Sequence, residues 1–169
     1  MSIFSMFLLS MVLSFVACTW IARWYVMPAI RNRPLERALP PLLLFQCFRF
    51  IGLAFLVPGV VSPDLSLGFA RPAGYGDLIS SLLAFLALLA LRFRWMTAIL
   101  LVWLFNVVGF LDLVNAFAQA VIHRVNPGQL GVMYFIPTLR VPSLYVVHIM
   151  IFALLIRRSK EPSGRTQQV

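Results

Sequence analysis

Apolar residues fall in five long runs separated by short polar stretches, the pattern of helices that cross a bilayer, for which about 20 residues suffice. The first run extends from Ser2 to Ala22, with Trp20, Trp24 and Tyr25 at its end as an aromatic belt at headgroup level. No positive charge precedes it and no small-residue cleavage pattern follows, so it reads as a retained helix rather than a signal peptide. A basic loop, Pro28 to Pro40, leads to a second run from about Pro41 to Val60, with Arg49 near its middle. Prolines and glycines between Pro58 and Gly76 predict an outer loop. The third run, Asp77 to Leu91, is then short for a crossing, and the fourth extends from Trp95 to about Val121. After a turn at His123 to Gly128, the fifth run, Leu130 to Arg158, is interrupted by Pro137, Arg140 and Pro142 and carries His148.

The fold class is therefore all-α: one polytopic helical bundle over residues 1–158, with five spans, the last broken by prolines, and a polar tail over residues 159–169 expected to be disordered. A proline biases the residue before it away from the helical region, so Ile136 and Val141 are expected to be extended or strained. Tyr134 to Val141 would then cross the outer layer as a kinked or re-entrant piece. Arg140 would reach water, lipid phosphate or an outer aspartate, and Thr138 and Arg140 would be accessible from outside. The mouth of a pocket would lie beside Tyr75 and Asp77, with His148 at its floor.

Composition agrees with a membrane setting. The chain is 62% hydrophobic and 11% charged, against roughly half and a quarter in soluble domains. The net charge of +9 does not indicate nucleic acid, because the arginines sit beside the apolar runs and read as topology signals and lipid-phosphate contacts. Ten basic residues (Arg23, Arg31, Arg33, Arg37, Arg92, Arg94, Arg157, Arg158, Lys160 and Arg165) fall on one side, against Arg71 and Arg124 on the other. That bias predicts an outside N-terminus and a cytoplasmic C-terminus. Cys18 and Cys47 have no metal or redox spacing, and no motif names a cofactor.

Polar residues inside the apolar runs carry the candidate chemistry, since an unpaired charge at the bilayer centre costs about 3 kcal/mol or more. Arg49, Asn106 and His148 share a depth near the midplane, while Asp77, Asp112 and Arg140 lie toward the outer side and Tyr145 is one turn from His148. These seven residues form the candidate ligand-binding set. Pairing of Arg49 with an aspartate is expected, but spacing does not choose between Asp77 and Asp112. Each residue also has a plainer reading: Asp77 as an N-cap, Asp112 and Asn115 as contacts between helices, and His148 as a neutral, hydrogen-bonded core histidine.

The segments FRFIGLAFLVPG, RPAGYGDLISSLLAF, NVVGFLDLVNA and IPTLRVPSLYVVH resemble a family of small bacterial inner-membrane proteins with no established activity. More loosely, the second to fourth runs resemble DoxX-like four-helix membrane proteins, which by analogy implies quinone or redox partners. The residues themselves support an inner-membrane binding, transport or accessory protein whose pocket holds a small amphiphile, lipid or quinone. Membrane lipids are its expected partners, with a homo-oligomer or a membrane partner protein as further expectations. The alternative is an intramembrane enzyme using His148 as general acid/base.

Overall fold

Five helices long and apolar enough to cross a membrane make up the computed structural model, which describes residues 1–160. They are α1 (Ile3–Ile30), α2 (Leu35–Leu56), α3 (Leu67–Arg92), α4 (Ala98–Ile122) and α5 (Ile136–Arg157). The bundle is all-helical, as the apolar pattern predicts. Most of the predicted tail lies outside the described residues.

α1 starts at an N-cap, Ser2, whose side chain accepts from the Ser5 amide, and one wide π turn at Ala22–Val26 carries it past Arg23 and Trp24. The expected loop from Pro28 to Pro40 is mostly helix: only residues 31–34 separate α1 from α2. Pro40 and Pro41 each remove a helix hydrogen bond. Burial of Leu35, Ala38, Leu39, Leu42, Leu43 and Gln46 along one stripe outweighs that loss.

The second correction concerns the predicted outer loop. α3 begins at Leu67, capped by Ser66, so Asp77 lies well inside the helix and is not an N-cap. Ala70, Ala73 and Gly74, taken for loop residues, line the buried side of α3 with Ser80, Ser81, Ala84 and Ala87 further on. Small residues let helices approach closely where a membrane interface depends on packing. The last part of α2, Phe48–Leu56, tightens to a 3-10 helix. With three residues per turn, Arg49, Gly52 and Phe55 stack on one line, and all three are buried.

α5 is the third correction. Val141 is helical at φ −58°, ψ −46°, and Ile136 opens a π turn that continues directly into the helix from Val141. The wide turn accommodates Pro137, and hydroxyls take up carbonyls there: Thr138 Oγ1 donates to Tyr134 O at 2.8 Å and Ser143 Oγ to Arg140 O at 2.6 Å. The piece is not re-entrant, and Thr138 is buried. The real break precedes it, in a 3-10 segment at Pro127–Tyr134 where Gly131 adopts φ +53° against the Val60 carbonyl. A side chain there would meet that backbone as well as an unfavourable φ.

Two apolar clusters fill the interior. One contains Leu39, Leu43, Cys47, Ala84, Ala87, Phe105 and Ile151, and the other Phe55, Phe69, Ala73, Leu130 and Met133. On α2 the first ends at Cys47 and the second begins at Phe55, and on α3 they part between Ala73 and Ala84. A polar layer occupies the gap.

Candidate functional site

Arg49 is the centre of that layer, and its side chain is fully buried. Nε donates to Asp77 Oδ1 at 2.8 Å, Nη2 donates to Asp112 Oδ2 at 2.5 Å, and Nη1 donates to the Gly109 carbonyl at 2.9 Å. Both aspartates therefore hold the one arginine, which the spacing left undecided. Each lies about 15 Å from the nearer end of its helix, ten residues from Leu67 on α3 or from Ile122 on α4. Burying a charge costs several kcal/mol unless its partners are this complete.

His148 takes its tautomer from the arginine. Arg49 Nη1 lies 3.2 Å from Nε2 and can only donate, so Nε2 accepts. The proton then sits on Nδ1 and is donated to Asn106 Oδ1 at 2.7 Å, while Asn106 Nδ2 donates back to the His148 carbonyl at 3.2 Å. His148 is neutral, fully buried, and stacked 5.3 Å from the Phe105 ring. This is the plainer reading of that residue, with both ring nitrogens occupied.

Three glycines on three helices make room for the network. A Cβ at Gly52 would strike the Asp77 carboxylate, and one at Gly76 would strike Asp112. At Gly109 it would come within 2.8 Å of His148 Cε1 and 3.0 Å of Arg49 Nη1. The arrangement depends on glycine for close approach rather than for unusual φ.

A cavity of about 750 Å³ opens beside this layer between α1, α3, α4 and α5. Asp77, Asp112 and Tyr145 reach it, with side-chain exposures of 13% and 11% for the two aspartates. Its walls are otherwise mostly apolar: Phe4, Phe7, Met11 and Phe15 of α1, and Leu113, Ala116 and Phe117 of α4. Arg49, Asn106 and His148 stand behind the carboxylates and do not line it. The expected floor at His148 is therefore corrected to Asp77 and Asp112, and Tyr75 lies exposed away from the cavity walls.

Arg140 is not part of the constellation. Its guanidinium lies 5.2 Å over the Phe45 ring and donates to the Phe45 carbonyl at 3.4 Å, so it packs against α2 and pairs with neither aspartate. Asn115, on the exposed side of α4, bonds Gln119 and makes no contact with the site. Sequence reasoning missed the α1 wall. Phe7 and Phe15 carry no polar mark, and their roles become visible only through ring contacts with Tyr134 at 5.6 Å and Tyr145 at 6.1 Å.

Comparison with known proteins places a family model described as a domain of unknown function, DUF8737, over residues 6–156. No curated protein matches, and no solved structure matches. A relation to DoxX-like proteins is not shown by these comparisons.

Proposed function

The chain belongs to the DUF8737 family, whose description assigns no activity, and on the site's geometry we propose a multi-pass protein of the bacterial inner membrane that binds a small amphiphile, lipid or quinone in the α1–α4 crevice. One observation carries this reading. A closed polar layer of one arginine and two aspartates presents only its carboxylates to an apolar cavity whose outer wall, α1, has no buried residue between Ile3 and Ile21. The volume lies within the ~300–1,000 Å³ of small-molecule sites, which combine apolar walls with a few converging polar groups. A ligand reaches such a crevice sideways from the bilayer. The ten-to-two arginine and lysine bias supports the outside N-terminus and cytoplasmic C-terminus. Reporters fused after Val169 test that orientation, and activity of a periplasmic reporter there contradicts it.

The intramembrane-enzyme alternative has weaker support, because His148 has both nitrogens engaged and no path to the cavity. Binding is tested by native mass spectrometry of the protein released from mild detergent, with and without Ala116→Trp, which fills the crevice from α4. Wild type is expected to retain a lipid-like molecule that the variant loses at unchanged thermal stability. Equal occupancy in both sinks the reading.

A further inference from the structure

The crevice is sharply asymmetric in charge, and this narrows what it accepts. Among the described residues Arg49 is the one cation hydrogen-bonded within the polar layer; it has one bond from Nε, two from Nη1 and one from Nη2, and is shut away from the cavity. At the end of the cavity beside this layer the charged groups that face it are the Asp77 and Asp112 carboxylates, with the Tyr145 phenol next to them, whereas Arg124 and Asn126 line its far end. Among the described residues each carboxylate spends one oxygen on Arg49, and its other oxygen accepts no hydrogen bond. An anionic head at that end would meet two carboxylates and no cation, with only the Tyr145 hydroxyl as a donor.

The aromatic wall points the same way. Phe15 and Tyr145 line the cavity with ring centroids 6.1 Å apart, and Tyr145 is held edge-on by Phe110 at 5.5 Å. Phe15 lies about 18 Å along α1 from Ile3, Tyr145 about 13 Å along α5 from Ile136, and the aspartates about 15 Å from their own helix ends, so rings and carboxylates share a level. Aromatic faces and carboxylates at one depth are the recognition chemistry of ammonium groups. From Asp112 to Val121 the α4 wall extends about 14 Å, and Arg124 lines the cavity one turn beyond. At about 1.2 Å per chain bond, that matches an alkyl chain of roughly a dozen carbons.

We propose that the crevice takes a single-chain amphiphile with an ammonium head, amine or quaternary, seated between the Phe15 and Tyr145 rings and the Asp77 and Asp112 carboxylates. The proposal rests on the crevice being a binding site, and the test separates the two ideas. Dodecyltrimethylammonium, dodecanol and dodecanoate are titrated into the full chain in mild detergent, and bound molecules are counted by native mass spectrometry. The ammonium probe is expected to bind about tenfold or more tightly than dodecanol, with dodecanoate weakest. Tyr145→Leu is expected to weaken the ammonium probe several-fold and to leave dodecanol unchanged, a split that general loss of structure would not produce. Asp112→Asn is expected to abolish the preference. If that variant does not fold, the wild-type ranking and Tyr145→Leu still decide. Dodecanol or dodecanoate binding as well as the ammonium probe overturns the head-group assignment alone, and binding of none of the three overturns the crevice reading with it.

Discussion

α1 and α2 are both apolar crossings, yet no residue in the most apolar window of α1 is buried, whereas 44% of that window in α2 is. Hydropathy is the same kind of signal in each, so it reports that a segment enters a bilayer and not how tightly it packs there. α2 carries Gln46, Arg49 and Gly52 on its inner face, and each is engaged or closely approached by a neighbouring helix. α1 before Arg23 carries no charge. It is attached through rings, Phe7 on Tyr134 and Phe15 on Tyr145, and through packing on α5. Lipid tails are as apolar as its side chains, so little favours closing the gap, and a crevice remains beside it.

The largest effect that would break this contrast is at Arg49. Arg49→Leu leaves two carboxylates facing each other without their cation, and a loss of about 3–5 kcal/mol is expected in detergent unfolding. Arg49→Lys should recover only part of it, because an ammonium cannot reproduce the fork to two partners. Full stability of Arg49→Leu would mean that the polar layer does not hold the bundle together.

A matched pair sharpens the comparison. Phe105→Ala, at a fully buried position, is expected to cost about 3 kcal/mol through the cavity it leaves. Phe15→Ala on α1 is expected to cost less than about 1 kcal/mol, the scale of a lost ring contact. Equal melting-temperature shifts would show that α1 is as firmly packed as the rest. Gly109→Ala comes next: its Cβ meets His148 and Arg49, for an expected loss of about 1–3 kcal/mol. Gly128→Ala, whose nearest contact is Asn126 Oδ1 at 3.3 Å, should stay within about 0.5 kcal/mol as a control.

The smallest effect lies at the helix ends. Arg94 and Arg124 follow α3 and α4 with φ of +54° and +49°, a region that non-glycine residues enter at a cost. Arg94→Gly is expected to raise stability by about 1 kcal/mol or less. A fall in melting temperature would mean that the arginine side chain contributes more than its backbone strain costs.

The amino-acid sequence by itself determined the membrane-like helical class, the number of apolar spans and which polar residues lie too deep to stand alone. These follow from local quantities: run length, composition and the cost of an unpaired charge. It misjudged helix ends wherever proline or glycine stood in a buried stripe, at Pro40, at Pro72 to Gly76 and at Pro137, because the burial that overrides propensity involves residues distant in the chain. Only the tertiary structure decided that both aspartates share Arg49, that Arg140 belongs to Phe45, and that His148 stands behind the carboxylates. Those outcomes turn on rotation and separation of helices, to which a periodic apolar pattern is nearly blind. The crevice itself was the least legible feature: α1 forms its wall with side chains as apolar as those facing lipid, so no residue type marks where packing stops.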